Sequence, residues 1–182
     1  AFNNQAIFEA YEPGSIFKPL TMAAALDVEA VTPTTMFTDL GYVMVDGWPK
    51  PIGNAESKVY GEVSMTQVLE DSINTGMIFT MRETGMDTFV EYVKAFGFGE
   101  LTGIELETEA SGTIDSLDIG AEIYAATASY GQGITVTPLQ IVMAFAAIAN
   151  GGVLKKPMII DEVHFEDGTV EKRSVADLAQ VI

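Results

Sequence analysis

Between Ile123 and Leu154 the chain carries no charged side chain, although Asp, Glu, Lys and Arg make up 19% of the whole. A stretch of that kind must leave water, either across a membrane or into a protein core. A spanning helix needs ~20 consecutive apolar residues. Gly131-Gln132-Gly133, Thr135 to Pro138 and Asn150-Gly151-Gly152 interrupt the run, and its longest helical piece, Leu139 to Ala149, is about half that length. We read the run as core that helices bury. Thr137 caps the last helix, Pro138 occupies its first position, and Asn150-Gly151 supplies the left-handed stop.

The remaining helices are legible from caps and spacing. The breaker pair Pro13-Gly14 precedes a helix that begins near Ser15 and runs through Pro19 to Leu26. Ser64 and Gln67 form a capping box for a short helix to Asp71. Thr75 to Thr84 ends at Gly85; Met86, Phe89, Val90, Val93 and Phe96 recur at helical spacing before Gly97; and Ile119 to Tyr130 reads as a further buried helix. Strands are expected at Tyr42 to Val45 and in a hairpin of Met158 to Phe165 and Thr169 to Lys172 around Asp167-Gly168. Pro49 to Lys58 reads as a polar loop, Trp48 as packing near it, and Glu105, Glu107 and Glu109 as a solvated strand-like edge. The expected class is α+β, mainly helical, in one domain.

Charge and composition exclude several functions. The chain has 26 acidic and 9 basic residues, a net charge of −17, and the basic ones are scattered, so a nucleic-acid partner is excluded. Ten Phe, six Tyr and nine Met exclude a disordered acidic tail. Without cysteine there is no thiol nucleophile or zinc-thiolate site, and the lone His164, read as a surface or packing residue, excludes a His-pair metal site. Neither a metal nor a cofactor is implied. Chemistry falls to Ser, Lys, Asp, Glu, Asn or Tyr.

Ser15 and Lys18 sit one turn apart at a helix start, which places a hydroxyl beside a base on one face. The helix N-terminus can stabilise negative charge on a substrate oxygen. Ile16, Phe17, Pro19 and Leu20 are apolar enough to lower a lysine pKa. Taken alone the pair reads equally as a capping serine and a solvated lysine. Ser72 and Asn74, two residues apart in a joint between helices, could relay a proton and hold a substrate amide, or merely cap. Gly131-Gln132-Gly133 could approach such a site or merely turn the chain between two buried helices, and the turn is the favoured reading.

Taken together the segments point further. Tyr11-Glu12-Pro13-Gly14-Ser15-Ile16-Phe17-Lys18-Pro19 resembles the nucleophile segment of penicillin-binding proteins, and Ser72-Ile73-Asn74 resembles their second motif. Phe96 to Gly99 with Thr102-Gly103-Ile104, Gly131 to Ile134 through Thr137 to Gln140, and Ala149 to Gly152 follow in the family's order. The likeness is strongest to the monofunctional class B transpeptidases of cell division and elongation. It implies the helical part of the penicillin-binding/serine β-lactamase-like fold and a D,D-transpeptidase acting on D-Ala-D-Ala stem peptides. By that resemblance Ser15 is the nucleophile, Lys18 its base, Ser72 a proton relay and Asn74 a substrate contact. β-Lactams would acylate Ser15. A glycosyltransferase partner and a place outside the bacterial cytoplasmic membrane are implied as well. A β-lactam sensor and a non-catalytic scaffold of the same descent are the alternatives.

One motif departs. The family's Lys-Thr/Ser-Gly strand has no match here, since Leu101-Thr102-Gly103 lacks the lysine. The resemblance would place that strand after Ile182 and further sheet strands before Ser15. Residues 1–182 are therefore expected to be a partial transpeptidase domain, a piece of something longer that lacks most of the central antiparallel sheet. Loss of one oxyanion donor can cost ~10²- to 10³-fold, so little activity is expected of this piece alone.

Overall fold

The computed structural model describes residues 3–182. A short helix α1 (Gln5–Phe8), capped by Asn4, leads to a 3-10 turn at Gly14–Phe17 that runs directly into α2 (Lys18–Asp27). Four short strands follow, β1 (Met36–Asp39), β2 (Tyr42–Val43), β3 (Ile52–Gly53) and β4 (Gly61–Ser64). They pair antiparallel as β1 with β4, Met36 opposite Ser64, and β2 with β3, Tyr42 opposite Gly53. The helical body comprises α3 (Met65–Glu70), α4 (Asn74–Thr84), α5 (Met86–Ala95), α6 (Glu122–Ala128) and α7 (Pro138–Ala149). Finally β5 (Val153–Lys155) pairs with β8 (Asp177–Gln180) around a hairpin of β6 (Glu162–His164) and β7 (Val170–Lys172). Every ladder among the described residues is two-stranded.

The hub is α4, which packs against α2, α3, α5, α6, β1 and β3. It is buried on most of its circumference, so its sequence lacks the one-sided pattern of a surface helix. Its threonines satisfy their own hydroxyls: Thr80 Oγ1 donates to Gly76 O at 2.8 Å and Thr84 Oγ1 to Thr80 O at 2.8 Å. At Gly76 a Cβ would sit 2.5 Å from a Val68 methyl, so the missing side chain is what lets α3 lie this close.

Several expectations need correction. Ile119 to Tyr130 is not one helix: a 3-10 turn (Asp115–Ile119) ends at Gly120, whose left-handed φ of 72° breaks the chain before α6. The polar loop from Pro49 to Lys58 contains β3 and the buried Asn54. Glu105 to Glu109 is irregular, because Glu109 turns back to accept Thr102 N–H at 2.7 Å and Gly103 N–H at 3.2 Å. Trp48 is 46% exposed and so is no packing anchor. Within α7 the uncharged run is core on one side only, since Ile141, Ala144 and Ala147 are buried while Val142 is 62% and Phe145 38% exposed. Its apolar segments do not form a spanning element: no helix among the described residues is long and apolar enough to cross a membrane.

Candidate active site

The Ser15 turn is set by what surrounds it. Phe17 is buried against Phe98, ring centroids 5.1 Å apart, and Thr21 Oγ1 ties α2 to Ser129 O at 2.8 Å. On the other side the Tyr11 to Gly14 segment pairs with Gly131 to Val136. Tyr11 N–H donates to Val136 O at 3.0 Å, Val136 N–H to Tyr11 O at 2.9 Å, Gly14 N–H to Gly131 O at 2.8 Å, and Gly133 N–H to the Glu12 carboxylate at 2.8 Å. A Cβ on Gly131, whose φ is +82°, would lie 2.1 Å from Gly14 O. Glycine there is the condition for backbone contact with the serine turn. The Gly131-Gln132-Gly133 segment is thus more than the connection read from sequence, and Gln132 lines the same cavity as Ser15.

That cavity, about 250 Å³, is lined by Gly14, Ser15, Asn54, Ala55, Glu56, Lys58, Tyr60, Asp71, Ser72, Asn74, Tyr130 and Gln132. Ser15 is exposed to it from the 3-10 turn. Lys18, one turn on, is 2% exposed and points into the joint before α4. Its Nζ donates to Ser72 O, to Ser72 Oγ at 2.8 Å and to Asn74 Oδ1 at 2.7 Å. Three acceptors match the three protons of an ammonium. Burial nevertheless lowers the lysine from its ordinary 10.5 to about 8. All four residues singled out in the sequence therefore meet at one place, with Lys18 bonded to Ser72 and Asn74 rather than to Ser15.

Backbone geometry marks the same spot. Ser72, Glu56 and Ser57 hold φ of 56°, 54° and 54°, left-handed values uncommon for residues other than glycine. At the rim Lys58 pairs with Glu56 at 2.9 Å, both exposed. Burial raises the Tyr130 hydroxyl's pKa, and the charge of Glu12 adds to the rise, so it is a neutral wall of the cavity. Sequence reasoning missed Lys58, Tyr60 and Tyr130 here. Spacing carries no signal for them, because they reach the cavity only through the fold. His164 sits on an exposed strand beside Glu162, at 2.6 Å, far along the chain from these lining residues. No group of His, Asp and Glu among the described residues could hold a metal ion.

Comparison with known proteins places this geometry in context. Residues 1–180 match the family model described as penicillin binding protein transpeptidase domain. Stage V sporulation protein D of Bacillus subtilis is 36% identical over 98% of this chain and 28% of its own length. Peptidoglycan D,D-transpeptidase FtsI of Escherichia coli K12 is 29% identical over 90% of this chain and 27% of its own length. The chain thus spans little more than a quarter of these curated relatives. Among solved structures, penicillin binding protein 3 of Mycobacterium tuberculosis complexed with aztreonam superposes with a TM-score of 0.91 at 26% identity, covering 100% of this chain and 40% of that one. The imipenem acyl-enzyme complex of penicillin-binding protein A from M. tuberculosis gives 0.87 at 26% identity, over 99% of this chain and 42% of that one.

Proposed function

Because the chain belongs to the penicillin-binding protein transpeptidase family, we propose that it is the nucleophile-bearing part of a D,D-transpeptidase that cross-links peptidoglycan stem peptides through an acyl-serine. The observation that carries this reading is a buried lysine shared between Ser72 and Asn74 beside the cavity that exposes Ser15.

A lysine lowered to about 8 is neutral in about a tenth of molecules at pH 7, far more than an ordinary lysine near 10.5. As a free amine it keeps two protons and gains a lone pair. That lone pair accepts the Ser15 proton as Ser15 Oγ attacks the penultimate D-Ala carbonyl. Ser72, an acceptor while Lys18 is an ammonium, can turn its own proton toward another partner and relay Lys18's proton to the departing D-Ala amine. The C–N bond breaks, D-Ala leaves, and Ser15 holds the acyl group until the amine of a second stem peptide attacks it. Asn74 Nδ2, at the cavity wall, gives one proton to Gly53 O and keeps the second for the donor peptide's backbone. A β-lactam offers the same carbonyl in a strained ring whose leaving amine stays tethered, so the acyl-enzyme persists.

Residues 1–182 are on this reading a partial transpeptidase domain of a longer protein, acting outside the cytoplasmic membrane with a glycosyltransferase supplying strands. The test is labelling of the full-length protein with a fluorescent penicillin and mapping of the adduct by mass spectrometry. The label is expected on the peptide containing Ser15 and absent from Ser15→Ala, together with loss of cross-linking. Cross-linking retained by Ser15→Ala sinks the assignment.

A further inference from the structure

Asp39 is the one buried carboxylate among the described residues, 1% exposed, and the reaction proposed above makes no use of it. No Lys or Arg among the described residues lies within ion-pair distance of it. A buried charge without a counter-ion persists only where hydrogen bonds replace its hydration. Four do so here. Oδ1 accepts from Thr75 Oγ1 at 2.7 Å and Gly41 N–H at 2.9 Å; Oδ2 accepts from Asn54 Nδ2 at 2.9 Å and Tyr60 N–H at 2.9 Å. Burial pushes the carboxyl up, but the bonds from Thr75, Tyr60, Gly41 and Asn54 outweigh it and hold it below its ordinary value.

The far side of this network reaches the site. The cap residue of α4 is Ile73, which has no side chain able to accept a bond, and the cap is instead supplied from outside the helix. Asn54 Oδ1 accepts Thr75 N–H at 3.1 Å, so Thr75 is gripped twice, at its hydroxyl by Asp39 and at its amide by Asn54. Asn74 precedes Thr75 directly, and its Nδ2 donates to Gly53 O at 3.3 Å, the carbonyl next to Asn54. With Nδ2 engaged there, Oδ1 faces Lys18 Nζ at 2.7 Å.

We infer that Asp39 and Asn54 are positioning residues of the reaction: they clamp Thr75 so that the Asn74 carboxamide and the Ser72 hydroxyl face Lys18. The inference rests on the acyl-serine reading of the site. They touch neither Ser15 nor Lys18 in any hydrogen bond described above and act through Thr75 and Gly53.

The experiment is saturation kinetics of β-lactam acylation in full-length Asn54→Ala, with Thr75→Val as a milder variant that keeps the fold accessible. Misplacing Asn74 and Ser72 by a fraction of an ångström is expected to lower the maximal acylation rate about tenfold or more. The acyl stoichiometry stays at one per protein, and the half-saturating concentration changes less than about threefold. Thr75→Ser, which keeps the hydroxyl donor, is expected to retain the wild-type rate. A purely structural role predicts the reverse, a reduced titratable fraction and a lower melting temperature with the wild-type maximal rate in the folded molecules, and that result overturns the inference. Crystal structures of the variants decide it independently of acylation. Asn74 Oδ1 beyond hydrogen-bond reach of Lys18 supports the clamp; the contact retained at 2.7 Å in both variants overturns it. Absence of label on the wild-type protein counts against the acyl-serine reading alone.

Discussion

Lys18 carries the sharpest consequence at the scale of one residue. Its three acceptors favour the ammonium, while its burial opposes it, and burial prevails in bringing the group to about 8. A base must be unprotonated. The rate of Ser15 acylation by a labelled β-lactam should therefore rise about tenfold per pH unit below 8 and level off above it, and Lys18→Arg, always charged, should abolish it. A profile flat from pH 6 to 9 would rule Lys18 out as the base. The same shift has a stability sign. Because the folded value lies below the ordinary 10.5, the unfolded chain binds more protons between about 8 and 10.5, and stability climbs with pH across that window. Below about 8 the buried ammonium costs stability in full.

Among the elements, two helices begin with the same device in different surroundings. In α3, Ser64 Oγ accepts Gln67 N–H at 3.3 Å and Gln67 Oε1 accepts Ser64 N–H at 3.0 Å, both exposed. In α7 the equivalent pair is buried: Thr137 Oγ1 accepts Gln140 N–H at 3.3 Å, Gln140 Oε1 accepts Thr137 N–H at 2.8 Å, and Gln140 Nε2 bridges Glu100 O and Ser111 O, each at 2.8 Å. Gln140→Leu would orphan the buried Thr137 N–H and two partly buried carbonyls, at a cost of about 2–3 kcal/mol, whereas Gln67→Leu should cost under about 1 kcal/mol because water replaces its bonds. Urea midpoints for the two variants measure this, and equal losses would contradict it. The contrast also shows what local sequence can say. The Ser64 box, the Thr137 cap, Pro138 and the stop at Asn150-Gly151 were all legible, because their partners lie within four residues. The β1–β4 and β5–β8 ladders were not, because short strands with mixed faces declare no partner. Lys18, Ser72 and Asn74 stood out through the order of motifs, while Asp39, Asn54 and Thr75 join across 15 to 36 residues through loops that no periodicity marks.

At the scale of the whole molecule the charge remains. With 26 acids and 9 bases, most acids have no cation to meet. The Lys and Arg pairs that do form among the described residues, Lys58 with Glu56 at 2.9 Å, Arg82 with Glu122 at 2.6 Å, Lys94 with Asp118 at 2.6 Å, Lys155 with Asp177 at 2.5 Å, and Arg173 with Glu105 at 3.2 Å and Glu171 at 3.1 Å, lie at the surface and are each worth little. Repulsion among the surplus acids destabilises the compact state, and salt screens it over a Debye length of ~10 Å at 0.1 M. Salt also weakens the ion pairs, but these are outnumbered, so the net effect of screening is stabilising. Acidification is a poorer probe, because it removes surface repulsion and the Asp39 network together. Asp39's folded pKa is depressed, so its contribution is present above the unfolded carboxylate range and is lost as pH falls through the folded value. Raising NaCl from 20 to 300 mM at pH 8 separates the two, since the buried carboxylate is scarcely screened. We expect a gain of about 1 kcal/mol, or about 2–4 °C in melting temperature for a chain of this size. A melting temperature that falls with salt would mean that the few surface ion pairs outweigh the repulsion of the unpaired acids.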